Sequence, residues 1–200
     1  MIPKARFVIP SIAFAAALSA LAAFAADKRF RAEPASAYAH QMSDQVTIGA
    51  KPYNTQDLTS EAFGKKADLL KYGVLPVLVV VENERGNALD LRNAEISLVG
   101  ADGRHVTAIS PEDVPYMATN GKHPGMPRVQ IPLPKKKNPL NAPEIVTRAF
   151  SAKMLPPGDS ASGFFYFEAR SEPGDKLYIN GLRDARSGQE ILYFEFPVEQ

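Results

Sequence analysis

Residues 74–81 form an unbroken apolar run in which five of the eight residues are valine. A run of this length without polar alternation, and rich in β-branched residues, predicts a strand that is buried on both of its faces. Because proline cannot donate a ladder hydrogen bond, Pro76 is expected near the start of the strand or at a bulge. The sequence therefore predicts that this strand lies at the centre of the core.

Short β-rich runs broken by turn residues account for most of the remaining chain. Strands are predicted at residues 46–51, 95–99, 104–109, 163–169, 177–179 and 191–198, with turns at 102–103, 156–159, 180–181 and 187–188. Phe63, Ala67 and Leu70 share a helical face, which predicts a helix over residues 54–72. Roughly seven or eight strands with frequent turns predict a mainly β, antiparallel, immunoglobulin-like β-sandwich with one N-terminal helix and a Pro-rich insertion.

The first residues have the pattern of a secretory signal. Lys4 and Arg6 precede an uncharged stretch at residues 7–26, and Ala23 and Ala25 supply the small residues that a signal peptidase needs. We predict a signal peptide at 1–25, a flexible leader at 26–44 and a β-sandwich domain at 45–200. A retained membrane anchor is the alternative.

Composition excludes several classes of function. The chain contains no cysteine, so disulfides, thiol catalysis, thiolate metal sites and N-terminal lipidation through cysteine are excluded. Its net charge of +1 does not indicate a nucleic-acid partner. Together with the signal, this composition predicts a periplasmic or secreted protein without a cofactor and without a stable membrane span after cleavage.

A Pro-rich segment at residues 114–143 separates the two halves of the β pattern. It contains seven prolines, which prevent it from lying inside a sheet. It also holds Tyr116 and three consecutive lysines, Lys135, Lys136 and Lys137. Long connections of this kind are often functional, and we predict that the segment is a binding surface. A tolerated insertion is the alternative.

Three features resemble secreted immunoglobulin-like or telokin-like domains. They are residues 79–83 (Val-Val-Val-Glu-Asn), residues 89–91 (Leu-Asp-Leu) with the turn at 102–103, and the Pro-Pro-Gly turn that precedes an aromatic strand at 156–167. The resemblance covers about 120 residues by pattern. It implies a β-sandwich with a binding or accessory role, and it brings no catalytic residues with it.

Alternation along the C-terminal strands distinguishes core aromatics from a candidate binding surface. Val77, Val79 and Val81 are predicted to lie opposite aromatic residues, namely Phe165, Phe167, Phe194 and Phe196. Tyr166, Tyr178 and Tyr193 are predicted to form an exposed platform for a protein partner, since tyrosine combines apolar area with a hydrogen-bonding tip. Half-buried sheet residues would give the same pattern.

Two groups of residues are compatible with chemistry other than protein binding. Met117, His123 and Met126 offer thioether and imidazole ligands of the kind that suit Cu(I). Four acidic residues form two pairs of the kind that hydrolases use: Glu112 with Asp113, and Asp184 near Glu190. The sequence contains no nucleophile elbow, phosphate loop or zinc-protease motif. The favoured function is thus an exported, non-enzymatic binding or accessory protein of the cell envelope, with an envelope or extracellular protein as its partner.

Cleavage of the signal is directly testable. Mass spectrometry of the protein isolated from its native host should give an N-terminus at or next to Ala26, because the small residues Ala23 and Ala25 precede that bond. An intact Met1 on protein that stays in the membrane fraction would show that the segment is a retained anchor.

Overall fold

The computed structural model describes residues 30–118 and 138–198. The described residues of the compact unit Ala32–Gln200 form three α-helices and eleven strands. The helices are α1 (Gln56–Phe63), α2 (Val114–Met117) and α3 (Pro143–Thr147). The strands are β1 (Ala39–Ser43), β2 (Val46–Pro52), β3 (Val74–Asn83), β4 (Leu89–Asp90), β5 (Glu95–Val99), β6 (His105–Thr107), β7 (Met154–Leu155), β8 (Ser160–Glu168), β9 (Lys176–Asn180), β10 (Arg183–Asp184) and β11 (Phe194–Pro197).

The strands form three antiparallel sheets. Sheet A has the order β1-β2-β3-β8, sheet B has the order β10-β4-β7, and sheet C has the order β11-β9-β5-β6. The predicted hairpin between β5 and β6 is present, with Gly103 at a positive φ of 81° in its turn. The prediction of a mainly β, antiparallel sandwich is confirmed.

Strand β3 is the central strand, and one of its faces packs in the core between sheets A and C. Val77, Val79 and Val81 are at most 3% exposed and belong to the same apolar cluster as Phe167, Phe194 and Phe196. The predicted pairing of valines with aromatics is confirmed here, and the half-buried Phe165 packs against the cluster. Pro76 occupies the third position of the strand, near its start as predicted.

Helices and turns cover the other face of β3. Leu78 and Val80 point to this side, and so do Phe164 and Tyr166 of the neighbouring strand β8. The ring of Phe63, at the end of α1, lies 4.7 Å from the ring of Phe164 between centroids. Strand β3 is therefore buried on both faces, because sheet A lies between sheet C and a layer of helices and turns.

Helix α1 is shorter than predicted. It covers residues 56–63 rather than 54–72, because Gly64 adopts a φ of 83° and ends the helical hydrogen bonding. Ala67 remains buried through a turn, and a 3₁₀ turn at Leu70–Tyr72 leads into β3. Helix α3 is also short, beginning at Pro143 and ending at Thr147.

Part of the predicted leader belongs to the sheet. Residues 39–43 form β1 and pair with β2 through a two-residue turn at Asp44 and Gln45. Both turn residues have a positive φ, 50° and 60°, which fits a primed hairpin turn; aspartate adopts this conformation readily, whereas it is unfavourable for glutamine. Arg85 stabilises the turn by donating to the carbonyl oxygen of Asp44 at 3.0 Å and by pairing with its carboxylate.

A side chain joins the outer strands of sheets A and C. The backbone N–H of Glu195 in β11 donates to Oε1 of Gln41 in β1 at 2.9 Å. The side-chain amide takes the place that a backbone carbonyl of a further strand would occupy. Strands β1 and β11 are thereby held side by side at one edge of the sandwich.

Asn83 fastens the end of β3 to the turns around it. The side chain is 1% exposed, and its Nδ2 donates to the carbonyl oxygens of Asn87, Leu155 and Pro156 at 2.9–3.0 Å. The carbonyl oxygen of Asn83 also accepts from the N–H of Gly158 at 2.7 Å. Asn83, the last residue of β3, thus holds the predicted Pro-Pro-Gly turn in place through hydrogen bonds.

The Asp44–Gln45 turn predicts a stabilising substitution. Gln45→Gly should raise the free energy of unfolding by about 0.5–1 kcal/mol, because glycine adopts a positive φ without steric cost. His40→Gly is the control, since His40 lies within β1 and glycine there should destabilise the fold by about 0.5–1 kcal/mol. Urea unfolding followed by circular dichroism measures both, and equal losses of stability would contradict the strained turn.

Candidate functional site

The outer face of sheet C carries Tyr178, and Tyr193 lies beside it immediately before β11. Along β9, Leu177 and Ile179 point into the core, whereas Lys176, Tyr178 and Asn180 point outward. The strand register then places Glu195, Tyr178, Ser97 and Thr107 in one row across the four strands. Because the alternate residues of the same strands are anchored in the core, this surface has a rigid support.

Tyr178 and Tyr193 are neighbours on this surface. Their ring centroids are 6.2 Å apart and their planes differ by 27°. Tyr193 is 62% exposed and the adjacent Leu192 is 74% exposed, while Tyr178 is half-buried. We call the surface formed by Lys176, Tyr178, Leu192, Tyr193 and Glu195 the tyrosine face.

The charges of the tyrosine face are paired with one another. Nζ of Lys176 lies 2.6 Å from Oε1 of Glu195, which lowers the pKa of that carboxyl and raises the pKa of the ammonium group. The hydroxyl of Tyr178 also hydrogen-bonds to Glu195, and this bond raises the pKa of the phenol. The contacts fix the Tyr178 ring and leave the middle of the face nearly neutral.

Tyr166 does not belong to this surface, so the prediction that it is exposed is wrong. It is 1% exposed beneath the helical layer, and its hydroxyl donates to the carbonyl oxygen of Ile145 in α3 at 2.7 Å. Burial raises the pKa of its phenol. Alternation assigned Tyr166 to the correct face of β8, but helices cover that face.

The Pro-rich segment is described only at its ends. Lys135, Lys136 and Lys137 lie outside the described residues, and Tyr116 is half-buried in α2. Nδ2 of Asn138 donates to the carbonyl oxygen of Pro115 at 2.7 Å, so the two described ends of the segment are in contact. The proposal that this segment is a binding surface stays a prediction.

Two of the three predicted copper ligands fall outside the described residues. Met117 is half-buried in α2, whereas His123 and Met126 lie outside the described residues. Within residues 30–118 and 138–198, no group of three histidine, aspartate or glutamate side chains is placed to hold a metal ion.

Three of the four acidic residues in the predicted pairs make hydrogen bonds or ion pairs with other side chains. Glu112 accepts a hydrogen bond from the hydroxyl of Ser110, and Glu190 lies 3.6 Å from the guanidinium of Arg183. Asp184, with only 2% of its side chain exposed, lies 3.0 Å from a guanidinium nitrogen of Arg85. These contacts give the acids structural partners at turns and strand ends.

Asp184 has the largest set of partners. Its carboxylate accepts hydrogen bonds from the backbone N–H groups of Arg186 and Ser187 and from the side chains of Ser187, Arg85 and Asn87. Led by the bond from the Ser187 N–H, these donors hold the pKa of the carboxyl well below its usual value. The group stays ionised and is fully engaged in joining β10 to the turn that follows β3.

Three members of the tyrosine face were not predicted from the sequence, namely Lys176, Leu192 and Glu195. The order Tyr193-Phe194-Glu195-Phe196 alternates polar and apolar residues, and that signal places Glu195 on the same side as Tyr193 once the phenylalanines are assigned to the core. The ion pair between Lys176 and Glu195 had no sequence signal, because it depends on the register between β9 and β11.

Comparison with known proteins gives only distant similarity. No protein-family model and no curated protein sequence matches the chain. A Bacillus subtilis protein provisionally described as a lipoprotein aligns over 80% of this chain with 13% identity and a TM-score of 0.40, and the alignment spans 38% of its own length. The secreted protein MPT63 of Mycobacterium tuberculosis aligns over 78% of this chain and 92% of its own, with 16% identity and a TM-score of 0.35.

The archaellum periplasmic stator protein FlaG of Sulfolobus acidocaldarius aligns over 60% of this chain and 85% of its own, with 11% identity and a TM-score of 0.31. Similarity at this level assigns no function to the chain. Across the residues that the structure describes, no helix has the length and apolar character needed to cross a membrane.

The Asp184 contacts predict a pH-dependent loss of stability. Because the folded pKa lies below the unfolded value of 3.8, the contribution of Asp184 is present above that value and disappears as the pH falls through the folded pKa. Asp184→Asn should cost about 1.5–3 kcal/mol at pH 7, the range for hydrogen bonds to a charged group.

Urea unfolding at pH 7 and at about pH 3 measures this effect, and the difference between wild type and variant should be smaller at the lower pH. Asp159→Asn, at an exposed turn position, is the matched control and should change little at either pH. A difference that is the same at both pH values would contradict the assignment.

Proposed function

We propose that this protein is an exported, non-enzymatic domain that binds a protein of the cell envelope through the tyrosine face. The observation that carries the proposal is the ring pair of the half-buried Tyr178 in β9 and the exposed Tyr193, which follows the exposed Leu192 and immediately precedes β11. Tyrosine is enriched at protein interfaces and supplies a large contact area with few rotatable bonds.

The support beneath the face favours binding without rearrangement. Phe194 and Phe196, each 1% exposed, anchor the strand that carries Glu195 and follows Tyr193. Tyr178 is held by its hydrogen bond to Glu195. Side chains that are ordered before binding lose little entropy on association, so their contact area contributes more fully to affinity.

The charge balance favours a protein surface over a polyanion. Lys176 and Glu195 neutralise each other at the middle of the face, and the neighbouring row adds the exposed Glu95 and Asn180. A nucleic acid or an acidic polysaccharide would require several unpaired cations. An aromatic centre with a polar rim is instead the composition of a protein interface.

Two further observations support the export and the absence of catalysis in this proposal. The basic and uncharged N-terminal pattern with Ala23 and Ala25 is that of a secretory signal. Asp184 and Glu112, the acids with the most suggestive spacing, are engaged by neighbouring donors and have lowered pKa values. A general acid needs a raised pKa instead.

Site-specific crosslinking tests the face. A photoreactive amino acid at position 193 should give one crosslinked product in native envelope extracts, whereas the same group at Met154, which is 47% exposed on sheet B, should not. With the partner purified, Tyr178→Ala/Tyr193→Ala should weaken binding by about thirtyfold, the effect of losing a central aromatic contact of about 2 kcal/mol.

Matched controls separate this face from other surfaces. Val146→Ser/Met154→Ser removes two exposed apolar side chains elsewhere and should leave the affinity unchanged. Replacing residues 119–137 with a Gly/Ser linker tests the Pro-rich segment as the binding surface. Unchanged affinity in the double tyrosine variant, combined with lost binding in the linker variant, would transfer the function to that segment and contradict our proposal.

A further inference from the structure

A cleft of about 570 Å³ opens between the turn at residues 64–67 and the segment at residues 138–144. It lies at the helix-covered side of sheet A, away from the tyrosine face. Its volume is within the range of about 300–1,000 Å³ that is usual for small-molecule sites. Phe63 and Ala67, which are 2% and 1% exposed, contribute to its lining.

The first wall is held by local structure. Gly64 ends α1 with a φ of 83°, and the N–H of Ala67 donates to the carbonyl oxygen of Gly64 at 3.0 Å. This tight turn returns Ala67 to the core and leaves Lys65 and Lys66 exposed at its tip. The Phe63 ring below them is fixed by contacts with two aromatic rings of β8, at 4.7 Å and 6.0 Å between centroids.

The second wall is equally constrained. Oδ1 of Asn138 accepts from the N–H of Leu140 at 2.9 Å, and its Nδ2 donates to Pro115. Leu140 is fully buried and anchors the segment. Pro139 and Pro143 restrict the backbone on either side. Since both walls are ordered, filling the cleft requires little rearrangement of the protein.

The lining combines an apolar interior with a positive rim. Accessible apolar surface comes from Pro139, Ala142 and Pro143, with the buried Phe63 and Ala67 behind it, and the rim carries the exposed Lys65 and Lys66. Among the lining residues the opposing charge is the half-buried carboxylate of Glu144. The excess of positive charge lies on one wall, so a ligand with an apolar body and one negative end matches the cleft.

We propose that the cleft binds a single-chain anionic amphiphile, with its apolar chain against Pro139 and Ala142 and its anionic head group beside Lys65 and Lys66. A free fatty acid and a lysophospholipid share this chemistry. The inference concerns a different surface from the tyrosine face and does not rest on the function proposed for that face.

Calorimetric titration of the purified protein with monomeric dodecanoate tests the proposal, and dodecyltrimethylammonium serves as the ligand of opposite charge. Dodecanoate should bind with 1:1 stoichiometry and more tightly than the cation. Lys65→Glu/Lys66→Glu should weaken dodecanoate binding by about tenfold or more and should strengthen binding of the cation. Lys153→Glu/Arg170→Glu makes the same change of charge at exposed positions elsewhere and should have little effect.

A second variant tests the apolar interior. Ala142→Trp places a large side chain in the cleft and should abolish binding of both amphiphiles, provided that the melting temperature shows a folded protein.

Titration with monomeric lysophosphatidylglycerol distinguishes the two sources of ligand, because the preferred head group will bind more tightly. Equal affinity of the wild type for dodecanoate and dodecyltrimethylammonium would overturn the proposal. Dodecanoate binding that is unchanged in Lys65→Glu/Lys66→Glu would do the same.

Discussion

The burial of β3 on both faces is the constraint from which the rest of the architecture follows. Its valine and leucine side chains each contribute about 1.5–3 kcal/mol when they are fully removed from water, and they do so only if both faces are covered. Sheet C covers one face and the helical layer covers the other. Because the middle layer is closed to solvent, surfaces available for binding lie on the outer layers, which is where the tyrosine face and the cleft are found.

Local patterns were sufficient to predict strands such as β3 and β9, and they failed where a distant residue decides the conformation. The run at 74–81 and the alternation at 177–179 correspond directly to β3 and β9. Strand β1 was not recognised, because Asp44-Gln45 is not a sequence typical of its turn and Arg85, far along the chain, stabilises it. The length of α1 was overestimated because apolar periodicity continues past Gly64, where the backbone leaves the helical conformation.

The same distinction explains what was predictable about the candidate sites. Tyr178 was predicted to face outward because outward positions on a two-sided strand follow from alternation alone, and Tyr193 lies immediately before β11. Tyr166 has the same pattern, but its strand neighbours β3 and is also covered on both faces, which only the tertiary arrangement reveals. The cleft joins segments around Lys65 and Asn138 that have no common sequence motif, so it had no signal before the fold was known.

The contact between Gln41 and the backbone of Glu195 affects the tendency of the domain to aggregate. An open sheet edge presents unpaired N–H groups, and another copy of the chain can pair with them and begin an aggregate. At this position the donor is already satisfied by a side chain of the same molecule. A single amide thus closes part of the edge without the added length of another strand, and the domain can reach high local concentration with less risk of polymerising through β11.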